Sequence, residues 1–412
     1  MPQSCSAKLP AAVPRVRRVC VLSLRRHLLA ASALGGLLAM EAQAVVTQFL
    51  YTSDAHYGTT RTFHGVAGVT AQTVNETMIQ KMNQFAATTG PIDFVAMTGD
   101  ISNREEDNPP AIQSASASWA QFENDYISGP NAINFVNTTT NLLLLPGNHD
   151  VSNAIGYYKS MTPVTDATVM EKVYNRAYGT SISYSTGQAF YDAHHVNYSR
   201  DIGGVHMMFV NMWPDSSVRA WMETDLGTVS SGMPVLIFTH DQPTVESMHF
   251  INPNGSQTIN STDKFENLLS DPLADGTTIN APSTIEQDDF AAFLIRHPNI
   301  KGYFHGNDNQ FSTYTWTGPS NNVAMNTFQV DSPMKGNVSG TNELMLSFMY
   351  VRIDTDRQTL MAQEILWNVN GSTFAGSNDP LVVGRSTTVF IPEPASLALL
   401  SVGGFVLVRR RR

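Results

Sequence analysis

Cysteine is nearly absent: the chain of 412 residues has two, Cys5 and Cys20, both within its first twenty positions. Past that point no disulfide is available, so a domain there depends on its core and on bound groups for stability. Charge is also sparse, at 15% of residues against 42% hydrophobic. That balance excludes a disordered, highly charged chain and leaves ample material for a large core. Basic residues are the scarcer sign. Six of the 25 Lys and Arg precede residue 45 and four close the chain, whereas those two stretches hold one of the 35 acidic residues, Glu41. The region between is about nineteen charges negative, which repels polyanions and argues against nucleic-acid binding. No internal repeat of about 20 to 50 residues is evident.

Both ends read as addresses. Arg15, Arg17, Arg18, Arg25 and Arg26 precede an apolar run over 28–40, and Ala42-Gln43-Ala44 supplies the small residues of a cleavage site, so 1–44 is expected to be a signal peptide. Its segment 24–29 also resembles a twin-arginine signal, which implies export after folding and metal loading. At the other end Pro392-Glu393-Pro394 is followed by fourteen mostly apolar residues, 395–408, and then by Arg409 to Arg412. This run falls short of the roughly twenty residues of a full span. Its terminal place and arginine stop read as a short transmembrane segment oriented positive-inside. Residues 391–412 resemble a PEP-CTERM sorting signal. The resemblance implies an exosortase-type processing enzyme, removal of the tail and transient inner-membrane anchoring. Delivery would be to the cell envelope or extracellular matrix of a Gram-negative bacterium.

Between the ends, apolar runs alternate with helical spacing. Strands are expected at 45–52, 92–98 and 141–146, with helices over 69–87 and 115–127 between them, the pattern of a βαβ arrangement. After residue 180 antiparallel strands are expected at 181–185, 189–198 and 206–210, then a helix over 219–226 and a buried strand at 235–238. Residues 245–283 are rich in Asn, Ser, Thr, Gly and Asp and read as a surface loop, a candidate lid. A helix over 284–295 leads to a strand at 300–304, and further strands include 346–353 and 358–366. One domain, 45–370, and a linker, 371–390, complete the division.

Five of these apolar runs end in polar clusters: Asp54 with His56, Asp100, the run Gly147-Asn148-His149-Asp150, His240, and residues 305–309. Ligands of open α/β sheets gather at the carboxyl ends of strands, so the shared placement matters more than any one motif. His194 with His195 reads as structural, and His206 and His249 stand apart from any cluster. Arg104 reads as a solvated loop residue.

Asp54-Ala55-His56, Gly99-Asp100, Gly147-Asn148-His149-Asp150 and Thr239-His240-Asp241-Gln242-Pro243 together resemble the first four motifs of the calcineurin-like metallophosphoesterases. The resemblance implies an α/β fold in which two mixed β-sheets pack as a sandwich flanked by helices. It also implies two divalent metal ions, Mn, Fe, Zn or Ni. Asp54 and His56 would hold the first ion, Asn148 and His240 the second, and Asp100 would bridge them. His149 would act on the phosphoryl group, oriented by Asp150. A phosphomonoester or phosphodiester would be hydrolysed by a metal-bound hydroxide.

The fifth motif departs from the family's Gly-His-x-His, reading Gly306-Asn307-Asp308-Asn309. With Asn307 and Asn309 as ligands, harder ions such as Mg or Ca become candidates, and Asp308 is a neighbouring anion that a small backbone shift would offer. His305 reads as a supporting residue. Two functions follow: an exported metallophosphoesterase, or a catalytically impaired surface or matrix binding protein that keeps the fold.

Overall fold

Leucines 142–144 show why the strands form where they do: three tandem apolar residues, each at most 5% exposed, make the strand that delivers the Gly147 turn. The computed structural model describes residues 46–103, 113–155, 166–183, 194–246, 249, 269, 284–371 and 379–391. Strand β1 (Val46–Thr52) leads to a hairpin of β2 (Thr60–Phe63) and β3 (Val66–Thr70), then helix α1 (Ala71–Thr89) and β4 (Phe94–Met97). Helix α2 (Ala115–Phe122) runs into a π-helical turn, Glu123–Ser128, and α3 (Thr138–Asn141) precedes β5 (Leu142–Leu144) and α4 (Asn148–Ile155). Next come α5 (Thr168–Tyr178), β6 (Tyr198–Ile202), β7 (Val205–Phe209), α6 (Ser216–Leu226), β8 (Val235–Phe238) and α7 (Ile285–Arg296). The remaining strands are β9 (Ile300–His305), β10 (Ser312–Trp316), β11 (Met325–Gln329), β12 (Ser347–Asp354), β13 (Thr359–Leu366) and β14 (Val382–Phe390).

These strands make two mixed six-stranded sheets, ordered β14-β13-β12-β1-β4-β5 and β10-β11-β9-β8-β7-β6. Strands β1, β4 and β5 run parallel, as do β7, β8, β9 and β11. A parallel sheet is buried on both faces, which is why these segments are continuous apolar runs in the sequence. Helix α1 starts where Thr70 accepts from the Thr73 amide, buries Val74, Met78 and Met82 along one face, and stops at Gly90, whose φ of 112° suits glycine.

The sheets meet face to face through aromatic rings. Phe49 stacks on Phe94 at 4.5 Å within the first sheet and meets Phe238 and Phe304 of the second edge-on, each at 5.6 Å. Across the second sheet, Tyr198, Phe209, Phe238, Phe304 and Phe328 form a stacked ladder with centroid spacings of 4.9, 4.6, 4.8 and 4.7 Å. Each rung is a directly paired position on neighbouring strands. Such pairs contribute about 0.5–1.5 kcal/mol beyond area burial, and a one-residue slip would lose them. The ladder therefore fixes how far β8 and β9 extend relative to one another.

The expected sandwich is present, with differences at its edges. Residues 382–390, expected in a linker, form β14, which pairs along β13 and extends the domain beyond 370. Its exposed alternation of small and β-branched residues suits an edge strand, a pattern that also reads as linker. Of the strand expected at 189–198, residues 189–193 lie outside the described residues, 194–197 are not in a strand, and Tyr198 begins β6; of that expected at 181–185, residues 181–183 lie outside any strand. The signal peptide, Arg104, most of the 245–283 loop and the terminal segment from 392 onward lie outside the described residues. Among the described residues no helix is long and apolar enough to cross a membrane.

Candidate metal centre

The five expected clusters come together where the parallel strands end. Pairing continues past the strands themselves: the amides of Asp54, His56 and Tyr57 donate to the carbonyls of Gly99, Asp100 and Ile101 at 2.8–2.9 Å, and the Gly306 amide donates to the His240 carbonyl at 3.1 Å. A Cβ on Gly99 would lie 2.2 Å from the Gly147 amide nitrogen, and one on Gly147 would lie 2.2 Å from Asp100 Oδ1. A Cβ on Gly306 would lie 2.3 Å from Asp54 Oδ2. Glycine at these turns is thus what lets the backbones approach the carboxylates.

Asp54, His56, Asp100, Asn307 and Asn309 all have positive φ, between 44° and 60°, five of the ten described non-glycine residues that do. Each left-handed residue costs roughly 1–2 kcal/mol, and strain concentrated in one place marks a site whose geometry is imposed by its surroundings.

Two groups of ligand-type side chains share Asp100. One is His56, Asp100 and His149; the other is Asp54, Asp100 and His240, with the ligand atoms of each group within 4.8 Å of one another. Asp100 Oδ2 lies 3.5 Å from His56 Nε2 and 3.7 Å from His149 Nε2, and its Oδ1 lies 3.5 Å from His240 Nε2. These separations are too long for good hydrogen bonds. They match donors that a cation joins through bonds of about 2.0–2.2 Å. All five residues are buried, His149 the most accessible at 8%.

Two further observations test whether a cation fits. Asp54 Oδ1 is buried with no hydrogen bond among the described residues. His240 Nδ1 lies 2.6 Å from the Thr98 carbonyl oxygen, so Nδ1 carries the proton, yet Nε2 faces the Asn148 Oδ1 acceptor at 2.9 Å. Two acceptors in contact need a positive charge on one of them or between them. Burial lowers the His240 pKa, but the Asp100 and Asp54 carboxylates overcome it and hold the group up at about 9. A proton thus serves where a divalent ion would, and the donor set of imidazoles, carboxylates and an amide oxygen suits such an ion. Burial also raises Asp54, and it raises Asp100 to about 6.

The grouping differs from the sequence expectation. Asp100 belongs to both groups; Asp54 groups with His240, which Asn148 contacts, while His56 groups with His149, a residue expected to be catalytic and not a ligand. The His56 and His149 rings meet edge to face at 4.8 Å. Asp150 does not orient the His149 ring. Its carboxylate accepts from the amides of Gly147, Ile101 and Ser102 and the Ser102 hydroxyl at 2.8–3.1 Å, which clamps two ligand-bearing loops together. Asn307 donates its amide to Asp54 Oδ2 at 3.1 Å and its side-chain nitrogen to Gln242 and Glu246. Asn309 Oδ1 is buried with no hydrogen bond among the described residues. Asp308 belongs to neither group; partial burial, then Glu246 and Asp241, raise its pKa. His305 is held between the Gly306 carbonyl and the Tyr314 hydroxyl, and burial pushes its pKa down to about 4.

Sequence reasoning missed two histidine clusters. Buried His249 pairs with Asp241 at 2.7 Å, beside His240, with Glu246 at 3.6 Å. His206 lies between Asp201 at 2.6 Å and Asp225 at 2.7 Å. Asp241 directly follows a strand-end histidine, and that adjacency was the available signal. Lys335, whose charge lowers the pKa of both Asp54 and Asp100, carried none.

A family model for the PEP-CTERM protein-sorting motif matches residues 390–412. No curated protein matches the chain. Its neighbours among solved structures include a conserved uncharacterised protein of Streptococcus pneumoniae TIGR4 described as a predicted phosphoesterase, at TM-score 0.30 and 9% identity over 84% of this chain and 98% of that one. Calcineurin-like phosphoesterase YfkN from Bacillus subtilis aligns at TM-score 0.30 and 10% identity, over 90% of this chain and 100% of the other. The 5'-nucleotidase from Candida albicans SC5314 aligns at TM-score 0.38 and 11% identity over 79% of this chain, which spans about half, 52%, of that protein's length.

Proposed function

We propose that this protein is an exported, metal-dependent phosphoesterase that hydrolyses a phosphomonoester or phosphodiester with an activated water. The observation that carries the reading is the single buried carboxylate, Asp100, shared by two histidine-containing groups at the ends of four strands, β1, β4, β5 and β8. Asp54, His56, Asp100, Asn148 and His240 would hold two divalent ions, and Asn309, whose Oδ1 is buried with no hydrogen bond among the described residues, would be a further oxygen donor. Such a pair supplies Lewis-acid polarisation of the phosphoryl oxygens and an acidified water.

The chain's own residues do the rest. Asp150 keeps the loops after β4 and β5 in register, so Asp100 and Asn148 keep a fixed separation. Thr98 fixes the His240 tautomer, which leaves Nε2 facing the centre. His149, the most accessible of the group, would meet the phosphoryl group and give a proton to the departing oxygen. The motif at 390–412 supports export and tail removal by an exosortase-type enzyme.

The test is metal content by mass spectrometry on protein purified without chelators, paired with hydrolysis of an aryl phosphate and an aryl phosphodiester across added Mn, Mg, Zn and Ca. About two ions per chain with metal-dependent turnover is the expected result. One ion or none, and no turnover with any ion, would instead favour a binding protein that has kept the fold.

A further inference from the structure

We propose that the groove between β5, α5 and β6 is a second ligand site for a small organic anion, whose carboxylate or phosphate is held by Arg176 and Arg200 and whose apolar body lies against the leucine strand. This goes beyond the phosphoesterase reading and does not rest on it.

Strands β5 and β6 each end the order of their sheet, and a cavity of about 570 Å³ lies between them. Small-molecule sites span about 300–1,000 Å³, so it has the size of one. Leu142, Leu143, Leu144 and Val173 of α5, all buried, form its inner lining, and the exposed Tyr178 forms part of its rim. The Tyr198 hydroxyl donates to the Leu144 carbonyl at 3.0 Å and joins β6 to β5, while the Tyr178 hydroxyl donates to the Asn197 carbonyl at 2.5 Å and joins the end of α5 to the approach to β6. The walls are thus tied to one another. Arg176 and Arg200 both line this cavity, and none of its lining residues belongs to either group of the metal centre. Arg176 Nη2 donates to the Thr138 carbonyl, and its buried Nε has no hydrogen bond among the described residues. Arg200 donates to the carbonyls of Ser199 at 2.9 Å and Ala177 at 3.1 Å, with its guanidinium carbon 5.2 Å from the centre of the Tyr198 ring. The bond to Ala177 brings the second guanidinium to the helix end that carries the first.

Two arginines facing one cavity without a carboxylate are an exception in a region about nineteen charges negative. Arg219, Arg296, Arg352, Arg357 and Arg385 each lie within 3.7 Å of a carboxylate oxygen. Arg176 and Arg200 bond only to carbonyls among the described residues. Burial lowers the Arg176 pKa, and Glu123 opposes this without forming an ion pair with it. The cation has lost water without gaining a counter-charge in contact. Each guanidinium offers five donors in a planar fork that matches the edge of a carboxylate or phosphate, so both keep donors for a ligand. A bare inorganic ion would leave the leucine side of the cavity unfilled. The occupant that fits both halves is an oxyanion on an apolar body, and the acidic surroundings favour a small anion over a polyanion.

The experiment titrates phenylacetate, phenylphosphonate and the neutral 2-phenylethanol into the full-length protein by calorimetry, with Arg200→Gln, Arg176→Lys and Asp100→Asn beside the wild type. At least one anion should bind with Kd of about 1 mM or tighter, and the alcohol about tenfold more weakly. The tighter of the two anions identifies the head group. Arg200 is exposed, so Arg200→Gln should keep the thermal midpoint while lowering affinity by about tenfold or more. Arg176→Lys keeps the charge but loses the fork and should also weaken binding. Asp100→Asn, which disables the metal centre, should leave phenylacetate affinity unchanged. No binding of either anion, equal binding of the alcohol, or wild-type affinity in both arginine variants would overturn the inference. So would phenylacetate binding that is lost in Asp100→Asn, since the anion would then sit at the metal centre.

Discussion

Asp100 is the residue on which the centre depends, because each of its oxygens faces a different histidine-containing group and its backbone carbonyl holds the His56 amide. Asp100→Asn keeps the shape and removes the charge. It should lower turnover by more than about a hundredfold and reduce bound metal, since even residues supporting a ligand are worth ten- to a hundredfold. Hydrolysis rates and metal content measured on one preparation check both, and unchanged activity would sink the two-ion mechanism. The fifth motif makes the complementary case. Asn307 and Asn309 sit at φ of 60° and 51°, and asparagine is a residue type that tolerates this region well. Histidine is also enriched there, so the double variant Asn307→His, Asn309→His can adopt the same backbone. Replacing amide oxygens with imidazole nitrogens should make it hold metal about tenfold more tightly. Competition against a chelator of known affinity reads the difference, and weaker retention would mean that these side chains do not face the ions.

At the scale of elements, the second sheet's stacked ladder sets the positions of His240 and Gly306, each two residues beyond a rung, Phe238 and Phe304. Phe238→Ala removes the rung that touches Phe209, Phe304, Phe49, Tyr51 and Phe94. It should cost about 3–5 kcal/mol by chemical denaturation and lower metal content in the protein that remains folded. An equally destabilising change far from β8, such as Leu360→Ala in β13, should leave metal content intact. The strands that carry ligands were legible in the sequence because a buried parallel strand is a continuous apolar run ending in an abrupt polar turn, as at 142–150. The edge strand β14 was not. β14 is exposed at most positions, so nothing but its pairing with β13 distinguishes it from a linker. Nor could spacing reveal side-chain partners far apart in the chain. Lys335 meets Asn103 across 232 positions, and Asp150 turned out to clamp backbone amides 48 and 49 residues earlier where its neighbour His149 was the partner expected from proximity.

For the whole molecule, burying so many ionisable groups without a disulfide sets opposite pH dependences for the metal-free and metal-loaded states. Burial raises Asp100 and Asp150 from 3.8 to about 6. The stability tied to their protonation is full below about pH 4 and is lost as pH rises through about 6. His240 is raised from 6.5 to about 9 by Asp100 and Asp54 against its burial, so its contribution is present below 6.5 and is lost as pH rises through about 9. All three act in one direction, and the metal-free protein should become less heat-stable from about pH 5 to about pH 9. Metal binding needs the same groups deprotonated, so its stabilisation grows over that window. Scanning calorimetry of chelator-treated protein should show Tm falling with pH, while saturating Mn adds about 5 °C or more at the alkaline end and little at the acid end. Exposed carboxylates are already ionised throughout this window, so surface repulsion changes little across it. His240→Asn separates the contributions, since it should flatten the metal-free decline between about pH 7 and 9 and leave the fall near pH 6 in place. A metal-free Tm that rises with pH, or an Mn-induced gain that is largest in acid, would mean that these buried groups do not exchange protons for metal.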